Sequence, residues 1–455
     1  VKIFQTGLIV SASIAVAIAC SGEDGKDGKT GAPGAQGEDG PRGPEGATGM
    51  DGPTGPEGPP GADGATGPEG PPGAGGAGGV PDGTLTASCM TPCHGFSGIV
   101  EQWKTSRHFS AYVANLDGEE VESWTGAKSC GNCHAIDGVE QRVAENVTYK
   151  GTTPPVALTD GQLNYEDDTS TTFKLGEISY AGQATVAAVH CFTCHDSSEE
   201  NDPHFTGEDY VAGNFPLRVP SGSGSEAIVE RSSMLGTSDG TAVAYRAGNA
   251  CVWCHKSRKD VTNYILEPTS VTSTTWGPHH GPHADVYSGA GGYEYAGMMY
   301  GQATHAGFVT GCVQCHMPNV TTNGMAVPNH SFYAQISACQ GCHAGATNFD
   351  ILGGQSNTKT RLRNLRTLLN NAGYLTQDGV TPLTPEQVAE DDFDLDESLP
   401  QSAPVPKDTA GALYNYFIVA RGSAFGVHNP KYVYQLLFDS ITELGGTPGF
   451  SRPPP

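Results

Sequence analysis

The chain has 455 residues, of which 37% are hydrophobic and 8% aromatic, which leaves it thin in core-forming side chains. That length gives room for about two or three domains. Its 49 acidic and 24 basic residues give a net charge of −25, which excludes nucleic acid as a partner, disfavours adsorption to anionic lipid and favours cationic partners such as metal ions or basic proteins.

At the start, Lys2 precedes an apolar run, Gly7-Leu8-Ile9-Val10 through Ile14-Ala15-Val16-Ala17-Ile18-Ala19. A basic start, an apolar stretch and small residues make residues 1–20 a secretory signal rather than a spanning helix. Ala17-Ile18-Ala19-Cys20 resembles a bacterial lipoprotein box, with cleavage leaving Cys20 as the lipidated N-terminus. The alternative is ordinary signal cleavage with Cys20 incidental.

Residues 22–79 carry glycine at every third position without a break, twenty in register, with ten prolines. A flexible linker has no reason to keep period three, whereas a triple helix does, because only glycine fits at its axis. We expect a stalk that spans on the order of 170 Å when wound at about 3 Å per residue. Such a stalk implies a homotrimer. Residues 80–88 follow as a linker.

Five Cys-x-x-Cys-His pentapeptides come next: Cys130/Cys133/His134, Cys191/Cys194/His195, Cys251/Cys254/His255, Cys312/Cys315/His316 and Cys339/Cys342/His343. A longer relative, Cys89-Met-Thr-Pro-Cys93-His94, precedes them, and together they use twelve of the thirteen cysteines. This is the attachment signature of c-type haem. Two thiols form thioethers to the porphyrin, and the adjacent histidine is held under the iron as proximal ligand. Disulfides would not require a histidine after every second cysteine, nor would zinc knuckles. Six c-type haems follow, bound through His94, His134, His195, His255, His316 and His343. The porphyrins would supply the apolar body that the composition lacks. We therefore expect a hexahaem cytochrome c region over 89–356, mostly irregular with short α-helices around haem. Segment 145–188, with alternating apolar positions, suggests a small hairpin.

From 357 to 455 the chain changes character. Leucines 362, 365, 368 and 369 predict a helix over Thr358 to Leu375. An acidic loop containing Asp391 to Glu397 follows. Asp408 to Arg421 reads as a second helix capped by Asp408 or Thr409. Pro430 to Leu444 reads as a third, with Asn429 as cap and Pro430 in its first turn. We expect this C-terminal helical module to pack on the last haems.

Nine histidines lie outside the motifs: His108, His190, His204, His279, His280, His283, His305, His330 and His428. They suffice for bis-histidine ligation throughout, and bis-histidine iron passes electrons without a vacant position for substrate. His108, His305, His330 and His428 are expected as distal ligands. One ligand comes from Trp276-Gly-Pro-His279-His280-Gly-Pro-His283, with His279 favoured and His280 and His283 as alternates. One of His190 and His204 completes the set. Met298 and Met299 are expected to pack in the core rather than ligate iron.

On these motifs the chain resembles multihaem c-type cytochromes. The Trp276 to Gly297 stretch is similar to segments of hexahaem and octahaem cytochromes from metal-reducing bacteria. Ala412-Leu-Tyr-Asn-Tyr416 through Val427-His428-Asn-Pro-Lys-Tyr432 resembles the helical end of ammonia-forming nitrite reductase and its octahaem relatives, where a matching histidine is a distal ligand. Cys20 followed by Gly-Glu-Asp-Gly-Lys-Asp-Gly resembles the start of outer-surface decahaem cytochromes. The resemblance implies an exported outer-membrane lipoprotein, reaching the membrane only through its lipid anchor. It would relay electrons between an outer-membrane conduit or other multihaem cytochromes and an extracellular acceptor. A multihaem reductase of a small nitrogen or sulfur oxyanion is the enzyme alternative, although no motif here ends in lysine as such reductases often have. A structural or adhesive surface fibre is the third.

Overall fold

The computed structural model describes residues 93–110, 131–134, 138–143, 147–149, 156–157, 178–180, 189–196, 216–218, 245–257, 261–308, 310–322, 324–393 and 397–455. The signal and Cys20, the stalk, the linker, Cys89, Cys130 and His204 lie outside the described residues.

The motif-bearing half is built of short pieces. Helices α1 (Ile99–Lys104), α2 (Gly131–His134) and α3 (Gly138–Val143) come first, then strands β1 (Val147–Tyr149), β2 (Val156–Ala157) and β3 (Ile178–Tyr180). The strands form one antiparallel sheet in the order β2-β1-β3, where the sequence suggested a hairpin. Next come α4 (Cys191–Cys194), α5 (Asn249–Val252), α6 (Val261–Tyr264), α7 (His283–Ser288) and α8 (Val313–His316). Between the last two motifs, β4 (Asn319–Thr322) and β5 (Met325–Pro328) pair as a hairpin, and α9 (Ile336–Gln340) follows. The hairpin's turn contains Gly324 at φ 81°, a conformation that glycine adopts without strain. Helices this short bury too little of their own surface to be stable alone.

The C-terminal part is different. Helix α10 (Gly354–Asn371) buries Leu362, Leu365 and Leu369, one stripe at helical spacing. It starts four residues before the leucine pattern predicts, because Gly353 at φ 71° serves as its N-cap. It also stops before Leu375, which joins β6 (Leu375–Thr376) instead. Within the acidic loop, α11 (Pro385–Ala389) is started by Thr384 and Gln387 in a reciprocal capping box. Beyond it, β7 (Glu397–Ser398) pairs with β6.

Helices α12 (Lys407–Ala420) and α13 (Pro430–Glu443) complete the module. Asn429 caps α13 through Oδ1, which accepts the Tyr432 N–H at 3.1 Å, and Pro430 occupies the first turn. Asp408 does not cap α12. It lies inside the first turn, and its carboxylate accepts the Tyr293 hydroxyl.

The main core joins α10, α12 and α13 to residues 265–300, including Trp276, Tyr293, Tyr295 and Tyr300. It thus crosses the 356/357 division drawn from sequence. Helix α12 is buried from Ala410 to Ala420 without a break. At Gly411 an added Cβ would lie 2.0 Å from the Tyr293 ring, so glycine is what lets this ring lie on the helix. A second, small core gathers Val139, Tyr245, Val252, Trp253, Ala284 and Tyr287 around the motif at Cys251. Met298 and Met299, expected in a core, are instead 45% and 68% exposed. They sit in a surface turn ahead of Tyr300, and Tyr300 takes the buried position.

Candidate haem-binding sites

Four motifs are described in full, and in each the chain makes the same turn. The motif histidine donates its backbone N–H to the carbonyl of the first cysteine: His195 to Cys191 at 2.8 Å, His255 to Cys251 at 2.8 Å, His316 to Cys312 at 3.1 Å and His343 to Cys339 at 2.8 Å. This closes one helical turn. It carries two thiols and an imidazole on a short segment, as attachment to a single porphyrin requires.

The second cysteine of each motif sits on that turn too, but its setting varies. Cys254 donates its N–H to Cys251 O at 3.2 Å, and its side chain packs against the small core around Tyr245. Cys342 donates to Cys339 O at 3.1 Å, yet it is exposed, as is Cys191. Cys133 is half-buried in α2, and its partner Cys130 lies outside the described residues, so that attachment pair is described only in its second member. Cys93 is likewise half-buried and described without Cys89. The sequence treats all motif thiols alike. The fold half-buries Cys254 and Cys312 against the Tyr245 core and leaves Cys342 exposed. None of the ten described motif cysteines, Cys133, Cys254 and Cys342 included, is in a disulfide.

Whether iron fits between the histidines can be tested on ring separations. A metal–imidazole bond is about 2.0–2.1 Å. With roughly 1.1 Å more from nitrogen to ring centre, two imidazoles on one iron have centroids about 6.3 Å apart. His195 and His330 are 6.4 Å apart, His305 and His343 6.4 Å, and His316 and His428 6.3 Å. His108 and His255 come close, at 5.9 Å. In each of the first three pairs, one ring has its Nδ1–H tied to a carbonyl. His330 donates to Pro328 O at 2.7 Å, His305 to Val427 O at 2.7 Å and His316 to Phe332 O at 2.8 Å. That fixes the tautomer and leaves Nε2 for a metal, the usual arrangement behind a ligating histidine. The residues fit iron held between imidazoles.

At several of the described histidines burial favours the neutral form, the one that ligates iron. It lowers His108 to about 4 and His428 to about 3, and it also lowers His255, His283 and His330. Burial likewise pushes the Cys194 thiol up to about 12.

The remaining candidates fall into two groups. Of His279, His280 and His283, it is His283 whose ring packs against His255 at 5.5 Å and against His428 at 5.0 Å. His279 packs on His280 at 5.9 Å, and its Nδ1–H donates to the His280 carbonyl. His190 is the N-cap of α4: its Nδ1 accepts the Phe192 N–H at 3.2 Å, and the Thr193 hydroxyl answers the His190 N–H. His94 and His134 occupy an exposed and a half-buried position in their turns, respectively.

Three positioning residues, Arg218, Gln102 and Arg421, gave no motif to read, whereas Asn429 is legible in the sequence as the cap of α13. Arg218 clamps the turn of α4 by donating to Phe192 O and His195 O, while its own N–H donates to Cys194 O. Gln102 of α1 accepts the His330 N–H at 2.9 Å and so ties the first motif's helix to that loop. Arg421 donates to Trp276 O and Pro278 O, holding the histidine-rich segment on α12. Asn429 both caps α13 beside His428 and accepts the Ala303 N–H near His305.

Comparison with known families agrees with this chemistry at both ends of the chain. Residues 293–445 match the family described as Cytochrome c552, a span that includes the motifs at Cys312 and Cys339 and the histidines His305, His330 and His428. Residues 21–81 match the family described as Collagen triple helix repeat (20 copies). No curated protein matches the chain. The chain thus carries a cytochrome c552 domain, whose family implies c-type haem, and an N-terminal collagen-like repeat.

Proposed function

We propose that this is a cell-surface electron carrier with six c-type haems, anchored through Cys20 and projected on a trimeric stalk. It exchanges electrons with a membrane conduit or another multihaem cytochrome on one side and with an extracellular acceptor on the other: a metal oxide, a metal ion or a redox partner.

The observation that carries this reading is the continuity of three attachment sites. A Cβ at Gly248, ahead of Cys251, would lie 3.1 Å from Cys312 Sγ, and Gln335, at the start of α9 with Cys339, donates its N–H to Cys315 O at 3.0 Å. The fourth, fifth and sixth motifs therefore follow one another in space as they do in sequence. A carrier needs such an uninterrupted file, whereas a single reactive centre does not. When bound, c-type haem supplies reversible one-electron storage. The chain's own part is to fix each site. The cysteines would attach the haem covalently, paired imidazoles would hold its iron, and Arg218, Gln102, Arg421 and Asn429 hold the segments that carry them.

The test is a haem assay with optical and EPR spectra of the purified protein. Six haems per chain, all low-spin when oxidised, are expected. The cytochrome c552 match favours one rival, a reductase resembling ammonia-forming nitrite reductase. A substantial high-spin signal together with turnover of nitrite or hydroxylamine would establish that rival in place of the carrier.

A further inference from the structure

The fourth and fifth motifs are in direct backbone contact, and glycine is what permits it. At Gly248, just before α5, an added Cβ would lie 3.1 Å from Cys312 Sγ and 3.2 Å from Cys312 N. At Gly311, with φ at 56°, it would lie 2.6 Å from the Tyr245 carbonyl oxygen. The segment leading into the fourth motif is thus seated on Cys312 of the fifth, and the segment leading into the fifth is seated on Tyr245, ahead of Cys251. On the cysteine side, the backbone just before the Cys251 motif therefore lies against the first thiol of the other motif, Cys312. On the imidazole side, His283 lies between the two sites, 5.5 Å from the His255 ring and 5.0 Å from the His428 ring, and His428 pairs with His316. Nδ1 of His283 is buried without a hydrogen-bond partner.

From this we infer that the attachment sites at Cys251–His255 and Cys312–His316 hold a strongly coupled pair of haems. The inference rests on the reading of these motifs as haem sites. What joins the two sites is the contact of Gly248 with Cys312 on the cysteine side and the ring contacts of His283 on the imidazole side. A pair in this position would take up its two electrons in separate one-electron steps, because reduction of either iron raises the cost of reducing its neighbour.

The experiment uses the full haem-loaded chain. EPR spectra are recorded through a reductive titration for the wild type, Gly248→Ala, Gly248→Val and Gly341→Ala. Gly248 has an ordinary helical backbone (φ −78°), so alanine there strains only the contact with Cys312. Gly341 lies inside the sixth motif with nothing within 4 Å of an added Cβ, and serves as control. The wild type should show a spin-coupled signal from one haem pair, which is lost when the pair takes up its first electron. Gly248→Ala should weaken that coupling and Gly248→Val abolish it, leaving separate low-spin signals, while Gly341→Ala should leave it unchanged. Magnetically independent haems in the wild type would overturn the inference. So would a coupled signal that survives both Gly248 substitutions with haem content intact. If Gly248→Val loses haem, the wild-type and Gly248→Ala spectra still decide. Peptide mapping that finds no haem on Cys251 or Cys312 would refute the underlying assignment of haem sites instead, and so is distinguishable.

Discussion

The two halves of the described chain obtain their interiors in different ways. Around α10, α12 and α13 the interior is made of the chain's own side chains: Leu362, Leu365, Leu413, Phe417, Tyr432 and Leu436 are each at most 1% exposed. Around the motifs the only separate core among the described residues is the small cluster at Tyr245 and Trp253, and large apolar side chains such as Phe96, Met325 and Tyr333 face outward. Phe96 follows His94 by two residues and is fully exposed, and Tyr333 follows the His316-tethering carbonyl of Phe332. Under the proposed function these exposed rings are apolar surface that bound porphyrins would cover, and the sparse apolar composition of this half would have the same origin.

The largest expected effect follows from that contrast. A chain whose motif cysteines are all changed to serine should lose protection from proteolysis and hydrogen exchange over about 93–257, while 265–455 keeps slow-exchanging helices. Equal loss in both halves would mean that the helical core depends on haem as well. Next in size is Phe417→Ala. Phe417 is fully buried and stacks under the Arg421 guanidinium at 4.0 Å. Its removal should cost about 3–5 kcal/mol in denaturant unfolding of the C-terminal module. It should also loosen the 276–283 segment that Arg421 holds.

The sequence showed local features and missed long-range ones, for a physical reason. Motif spacing, the leucine stripe of α10 and the Asn429-Pro430 start of α13 are set by backbone geometry within a few residues, so they can be read directly. The ring pairs join residues such as His195 and His330, brought together only by the packing of separate segments. His279 and His283 look alike in sequence, and only the fold shows which ring meets His255. Cys254 and Cys342 look alike too, yet one packs on a core and the other is exposed. His190 looked like a spare ligand, yet it caps the helix of its own motif. Arg218 gave no signal at all, because a side chain that donates to carbonyls answers to shape rather than to a pattern. Asp408 is a reasonable cap by residue type but is engaged by Tyr293 from 115 positions away.

Smaller effects sharpen the comparison inside each half. In the helical core, Asp439 is buried and receives the Arg452 guanidinium at 2.8 Å and the Tyr300 hydroxyl at 2.7 Å. Arg452→Ala should cost about 1–3 kcal/mol, because the carboxylate keeps only one of these two partners. The haem spectra should stay unchanged. In the motif half the reverse pattern is expected. His428→Ala should convert the haem at Cys312 from low-spin to high-spin and leave the remaining haems as they were, with a smaller change in unfolding. Conversion of a different haem, traced by a paired substitution at His305 or His330, would break the ring-distance assignment.

The smallest effect concerns the collagen-like repeat, whose Gly-x-y register leaves few large apolar side chains. A lone polyproline-type strand has no internal hydrogen bonds, so any order in residues 22–79 must come from two further copies of the chain. Charge opposes that assembly, since the segment holds ten acidic and three basic residues. Glu45, Asp51, Glu57, Asp63 and Glu69 recur at every sixth position, with no lysine or arginine among them. At about 3.1 Å per residue, successive carboxylates would stand roughly 19 Å apart along a wound stalk. The Debye length falls from about 30 Å at 0.01 M salt to about 8 Å at 0.15 M. Repulsion between successive acidic positions is therefore felt at the lower concentration and largely screened at the higher. The triple-helix melting temperature, followed by circular dichroism, should rise by a few degrees between these concentrations and change little above them. Sedimentation should give a trimer for the full chain and a monomer for a fragment beginning near residue 85. A full-length monomer without a melting transition at 0.15 M salt would show that the third region gains its order from no partner at all.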